Sequence, residues 1–394
     1  MNLTLSQSEK NLLFALCFLI ACGGSNGSDG ISSSATSGSD ISVLPESAYS
    51  ALPVFRLRDI GPLCNANAET CAMSGISAAA VSAIGDVQFL GTLDGQPQVY
   101  RVRDAGAGVI PVGREGAGPG EYRRPWTLGF DSTGNALVAS ISERRLLAYA
   151  ADGASEATAT IPLPPTMFAT PAFVNGELRA LATELADSPG DSMPVVMFAL
   201  DSGASNARRV YEMVLRAPAI ALGDFRPMQP PFTPQAQWVI RPDGGLLHSA
   251  ADALLIDMYG PDGRHTRRIG YTTTPRAVTS AELQEALKGA IRYMPNERMR
   301  GAMVERFKSE SATRHPAITR LTDAGDQIWV RESPFQGADS VSWVIFDADG
   351  RGLGRAITGA QDAVVVARGD SILMSVDRDT GSAGSLRWMM LERQ

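Results

Sequence analysis

The chain has 394 residues, 44% hydrophobic and 20% charged, the make-up of a folded domain rather than a disordered one. Its formal net charge of −7 argues against a nucleic-acid partner, which wants a basic surface. Its length suffices for one large core or two small ones, and only Lys10, Lys288 and Lys308 are lysines, an Arg skew that GC-rich codon usage explains as well as a binding role does.

The N-terminus reads as an export signal. Asn11 to Leu19 is an apolar run, and Leu19-Ile20-Ala21-Cys22 has the form of a lipobox, with a small residue before Cys. A run of about ten apolar residues is too short to span a ~30 Å hydrocarbon core. The expectation is a signal peptide over 1–21, a mature chain beginning at lipid-modified Cys22, and no cofactor or metal. An ordinary cleaved signal or an uncleaved anchor is the alternative. Gly23 is not a retention Asp, so the expected address is the outer membrane of the bacterial envelope. Residues 22–50 are rich in Gly and Ser and read as a disordered tether. Its root-mean-square reach is roughly 30 Å. Gly23 to Gly27 matches the G-x-S-x-G pattern by chance, without the strand and helix that a nucleophile elbow needs.

Residues 51–394 read as β almost throughout. Val54 to Arg58 suits an outer strand that pairs near Leu391. Cys64 and Cys71 favour a disulfide in an exported chain. A free pair is the alternative, and a metal site lacks further ligands nearby. From Trp126 a strand, the turn Asp131-Ser132-Thr133-Gly134 and a returning strand form a hairpin. The plan recurs around Asp243-Gly244, Asp262-Gly263, Asp323 to Asp326 and Asp347 to Gly350, and more weakly from Ala363 to Leu391. Less clear units fit 76–112 and 166–215. Six units of about four strands are the signature of a six-bladed β-propeller. Between the fourth and fifth units, 279–311 changes to helical spacing. Thr279 and Glu282 have capping-box spacing, Leu283, Leu287, Ile291 and Met294 share a face, and Met299, Met303 and Phe307 follow on a second helix. These apolar stripes are expected to rest on the disc.

Residues 113–125, Gly-Arg-Glu-Gly-Ala-Gly-Pro-Gly-Glu-Tyr-Arg-Arg-Pro, resemble the G-x-x-G-x-G-P-G-E-[FY]-x-x-P segment of six-bladed β-propeller lipoproteins related to the NHL-repeat propellers. The resemblance covers roughly 53–394 and implies the six-bladed fold and export. It departs at Ser140, where NHL blades usually carry Asp. It names no reaction. The segment is either a tight crossover with Glu121 paired to an Arg, or a ligand-facing rim built from Arg114, Glu115, Glu121, Tyr122, Arg123 and Arg124. His248, His265 and His315 lack metal spacing. The basic helix residues Arg292, Arg298, Arg300, Arg306 and Lys308 suit a solvated face or a partner surface. These features point to a monomeric, lipid-anchored module that binds a protein, peptide or glycan, with no catalytic residue assigned. The alternative is a metal-dependent, lactonase-like propeller hydrolase.

Overall fold

The structure is a computed structural model that describes residues 40–63, 74–82, 84–93, 96–103, 109–140, 143–150, 152–160, 168–183, 192–200, 208–216, 230–292, 296–334, 337–376 and 385–394. The expected signal peptide, Cys22, Cys64 and Cys71 lie outside the described residues. No described helix is long and apolar enough to cross a membrane.

Among the described residues the folded unit is all-β apart from one short helix and an inserted helical pair. Three sheets are four-stranded antiparallel meanders. The first comprises β3 (Ser74–Val81), β4 (Val87–Leu93), β5 (Gln96–Val102) and β6 (Val109–Pro111). The second comprises β9 (Thr127–Phe130), β10 (Ala136–Ser140), β11 (Arg145–Tyr149) and β12 (Ser155–Thr160). The third comprises β13 (Phe168–Val174), β14 (Glu177–Thr183), β15 (Ser192–Leu200) and β16 (Arg208–Arg216). A fourth meander, β17 (Gln237–Ile240), β18 (Leu246–Ser249), β19 (Leu255–Tyr259) and β20 (His265–Thr272), gains β1 (Asp40–Pro45) as a fifth, parallel strand. The last large sheet has eight strands rather than the expected four. It joins β21 (Ile318–Asp323), β22 (Gln327–Glu332), β23 (Ser340–Asp347) and β24 (Gly352–Gly359) to β25 (Ala363–Arg368), β26 (Ser371–Val376) and β27 (Ser385–Arg393) through β2 (Val54–Pro62). The reason is local. β2 pairs antiparallel with β27 from Phe55↔Arg393 to Pro62↔Arg387, as Val54 to Arg58 suggested, and it also meets β24 in parallel at Val54↔Arg355 and Phe55↔Ala356.

The Asp-Gly signals build hairpins by one device. Asp131 Oδ1 accepts the amides of Thr133 and Asn135, and Gly134 takes φ +86. Asp243, Asp262 and Asp347 likewise accept amides from Gly245, Arg264 and Arg351. Gly350, at φ +85, also permits close packing, because a Cβ there would stand 2.4 Å from Ile269 Cγ2 of another sheet.

The core is divided among sheet-to-sheet interfaces, the arrangement of a propeller. Leu247, Ile256 and Ile269 meet Ile328, Val330 and Phe346. Trp329, Trp343 and Ile345 meet Ile372 and Met374. Leu373 and Leu386 meet Val87 and Phe89. Leu90 and Val99 meet Val138 and Tyr149, and Val195 and Met197 meet Ile240 and Leu246. Both faces of a sheet are thereby removed from water, at ~1.5–3 kcal/mol for each fully buried large apolar side chain. The first strands lie side by side: β3 by β9, β9 by β13, β13 by β17, β17 by β21, β21 by β25, and β25 by β3.

Two expectations need correction. The tether does not run to residue 50, because β1 and helix α1 (Glu46–Ser50) are ordered against the folded unit. Averaging 22–50 hid the short segment Asp40-Ile41-Ser42-Val43-Leu44-Pro45, whose backbone completes the open edge of β20. Tyr49 then packs edge-on against Tyr271, with ring centroids 5.7 Å apart. The helical pair is present, as α2 (Ser280–Ile291) and α3 (Glu297–Glu310). Among the described residues its buried apolar side chains pack on each other rather than on the sheets. Leu287 and Phe307 are buried among Leu283, Ala290, Met303 and Val304, so the two helices form their own small core. A neck holds them, with Ala277 bridged to Arg314 and the His315 amide donating to Arg276 O.

Candidate functional site

Each meander has an even number of strands, so it returns the chain to the face from which its first strand started. The crossovers between sheets, the neck of the helical pair and Ala360–Asp362 therefore share one face, here termed the crossover face. The turns at 241–245, 260–264 and 347–351 occupy the opposite, hairpin face.

A cavity of about 780 Å³ opens on the crossover face where β17, β21 and the turn before β25 meet α2. That volume lies in the ~300–1,000 Å³ range of small-ligand sites. Phe232 supplies an aromatic wall and Gln235, Gln237 and Gln361 supply neutral amides. Arg331 and His315 supply the basic groups, and none of the described lining residues is acidic.

His315 ties the helical pair to this cavity. Its ring is buried, edge-on to Phe232 at 4.7 Å, and its Nε2 stands 3.4 Å from Glu282 Oε2. Glu282 also accepts from Arg276 at 2.7 and 3.0 Å and from the Thr279 amide at 2.9 Å, completing the expected capping box. The Arg276 guanidinium, first, and the Thr279 amide hold the Glu282 carboxyl well below the usual range. On the far wall the Arg331 guanidinium donates from Nη2 to Ala360 O, while its Nε is buried without an acceptor.

The 113–125 segment forms a clamp between two sheets. Arg114–Glu115 (β7) and Glu121–Tyr122 (β8) make a two-stranded parallel ribbon. Glu121 accepts from the Gly118 amide and from Arg114 Nε, both at 2.7 Å. The amide bond first, and Arg114 next, lower its pKa. Tyr122 is fully buried; its hydroxyl accepts from the Val99 amide at 2.9 Å and donates to Val112 O at 3.0 Å. Burial pushes its pKa up. Arg145 Nη2 donates to Gly118 O at 2.9 Å. The Arg123 amide donates to Glu143, and its guanidinium stands 3.9 Å from that carboxylate. Glu115, Arg123 and Arg124 are exposed, and Trp126 beside them is 50% exposed at the head of β9.

The other two histidines gather elsewhere. His265 Nε2 lies 2.9 Å from Asp257 Oδ1, and Arg268 grips that carboxylate at 2.7 and 2.9 Å. His248 is buried against Trp238, with Nδ1 4.0 Å from Asp257, and burial lowers its pKa. Among the described residues no three His, Cys, Asp or Glu side chains are arranged to hold a metal ion. The cavity residues Phe232, Gln235, Gln237, Arg331 and Gln361 escaped the sequence reading, since they are scattered over two crossovers, the start of β17 and the end of β22.

No protein-family model and no curated protein sequence matches the chain. Solved structures do. A member of the DUF4221 family from Bacteroides vulgatus is similar over 86% of this chain and 98% of its own, at 11% identity and TM-score 0.50. A protein described as exported, from Bacteroides fragilis, is similar over 90% and 99%, at 12% identity and TM-score 0.47. Virginiamycin B lyase from Staphylococcus aureus is similar over 86% and 100%, at 10% identity and TM-score 0.42. At these identities the likeness speaks to the fold alone.

Proposed function

We propose that the chain is a closed, six-bladed β-propeller, exported and held at the membrane through Cys22, that acts as a binding module. Six blades follow if the eight-stranded sheet is split at β2, whose contact with β24 is two residues long against seven on β27. Closure is supported by the cyclic order of the first strands, which returns from β25 to β3. The lipobox sequence supports the anchor. The observation that carries the binding reading is the 780 Å³ cavity between the helical pair and the first strands, sized for a short peptide or oligosaccharide.

β1 runs parallel to β20, with Asp40 opposite Arg267 and Pro45 opposite Thr272, so the described chain begins at the hairpin face.

The test is recovery of ligand. Purified protein is incubated with a small-molecule fraction of envelope extract, washed, and its bound compounds identified by mass spectrometry. Ala286→Trp, which fills the cavity from α2, is expected to keep the melting temperature and lose the bound compound. Equal recovery from both proteins would refute the cavity as the site.

A further inference from the structure

The strand paired with that of Arg331 carries a β-bulge. In β21–β22 the pairing runs Ile318↔Glu332 and then Arg320↔Arg331, so Thr319 is an extra residue on β21. Had the ladder continued regularly from Ile318, Thr319 would face Arg331 and Arg320 would face Val330. Val330 belongs to the buried face packed on the β17–β20 sheet, where a guanidinium would have no partner. The bulge re-aims Arg320 to the other face, directly across from Arg331. Thr319 Oγ1 holds it in place by donating toward Glu332 O at 3.2 Å and Arg331 O at 3.4 Å.

The result is two guanidinium groups as cross-strand neighbours. Like charges in that position destabilise a sheet. Among the described residues no carboxylate forms an ion pair with either. Asp362 is the carboxylate whose charge reaches Arg331, and its Oδ2 is bonded to the Gly359 amide. Arg320 is exposed and stands outside the cavity lining, and partial desolvation first, then the charge of Arg331, push its pKa down. One carboxylate against two guanidiniums leaves an excess positive charge beside a cavity with no acidic lining.

We infer that Arg331, with Arg320 beside it as its cross-strand neighbour, is an oxyanion-recognition site, and that the ligand of the cavity is a small organic anion whose carboxylate or phosphate group seats on the Arg331 guanidinium. This rests on the cavity being the binding site. An anion would satisfy Arg331 Nε, relieve the cross-strand repulsion and accept the forked hydrogen bonds that Arg offers. The body of the ligand then lies toward Phe232 and the amides of Gln235, Gln237 and Gln361.

The test uses the full chain with glucuronate, benzoate and inorganic phosphate, and with glucose and benzamide as neutral counterparts, in isothermal titration at low ionic strength. An oxyanion probe should bind wild type while its neutral counterpart does not. Arg331→Gln and Arg320→Gln should each weaken it about tenfold or more. Glucuronate or benzoate without phosphate assigns the group to a carboxylate; phosphate without the others assigns it to a phosphate. Without any probe, Arg320→Gln should melt about 1 °C above wild type in dilute buffer and lose that advantage in high salt. Failure of all three anions to bind, or equal binding by wild type and both Gln variants, overturns the inference. So does an Arg320→Gln protein that melts below wild type at low salt. Glucuronate that binds Ala286→Trp as well as wild type keeps the anion site and refutes the cavity reading instead.

Discussion

Tyr49 decides whether the end of the supposed tether is part of the fold. Its ring meets Tyr271 edge-on at 5.7 Å, the Arg355 guanidinium lies over it at 5.0 Å, and its hydroxyl donates to Glu332 Oε1 at 2.8 Å. The ring pair is worth ~1 kcal/mol, the cation–π contact ~0.5–1 kcal/mol at a half-exposed site, and the hydrogen bond ~1 kcal/mol. Tyr49→Ala should therefore lose about 3 kcal/mol and Tyr49→Phe about 1 kcal/mol, out of a typical ~5–15. The Ala loss corresponds to a fall in melting temperature of about 4 °C for a domain of this size. Ordering residues 40–52 costs on the order of 1–2 kcal/mol per residue, so the segment is held by a small net margin. If the Ala change exceeds that margin the segment detaches, and deleting 1–52 then costs no more than the single substitution. Urea melts of wild type, both variants and the shortened chain separate these cases, because detachment lowers the m-value as well as the midpoint. Burial and Glu332 raise the Tyr49 pKa to about 12. A phenol whose folded pKa is raised contributes stability fully present below pH ~10 and lost as pH climbs toward the folded value. The difference between wild type and Tyr49→Phe should narrow over that window. If Tyr49→Ala melts with wild type, β1 and α1 are not held by this residue, and the argument for an ordered 40–50 fails.

Four further outcomes concern other parts of the chain. Tyr122→Phe strips the Val99 amide and Val112 carbonyl of their shared partner in a buried site, at a cost of about 2–3 kcal/mol in urea unfolding. Replacing 279–311 with a short Gly-Ser linker should leave the sheets folded and bind no extra hydrophobic dye, because the helices bury their apolar residues in each other; strong dye binding would restore the view that they cover the sheets. The Glu282 carboxyl is held below its ordinary range, so its contribution is present above pH ~4.3 and lost only as pH falls toward the lowered value. Amide exchange at Leu283 should thus stay slow at pH 4 in wild type and be fast already at neutral pH in Glu282→Gln. Cys22→Ser should move the protein from the membrane to the soluble fraction, and an unchanged distribution would count against the lipid anchor.

The sheet architecture was legible because its signals are local and repeated. Asp131-Ser132-Thr133-Gly134 names its turn from four consecutive residues, and the same chemistry returns at Asp243, Asp262 and Asp347. The outer strand at Val54 was legible for a different reason, since a cyclic array of strands needs a partner for its last member. What composition misled was the tether, where Gly and Ser over most of 22–50 outweighed six residues that find an open strand edge. The helical stripes were read correctly as amphipathic and assigned the wrong partner. Leu287 and Phe307 require burial, but periodicity cannot say whether a sheet or a sister helix provides it.

The site was far less legible, and Arg320 shows why. A strand pattern assigns faces by alternation, and a single inserted residue reverses every assignment beyond it. Reading Ile318 to Asp323 as regular sends Arg320 to the same face as Ile318, hence into a core. Such a reading invites dismissal of the strand or of the charge. Only the pairing with β22 reveals that Thr319 is the extra residue and that Arg320 and Arg331 are neighbours. The Gly-rich 113–125 loop drew attention because it is conspicuous in sequence, yet its most distinctive side chains, Glu121 and Tyr122, are spent on amides, a carbonyl and Arg114. Conspicuous spacing marks places where the backbone is hard to build. Ligand-binding groups are better sought where buried or crowded polar atoms lack partners, as Arg331 Nε does, because such atoms are few in a native fold and each calls for an explanation.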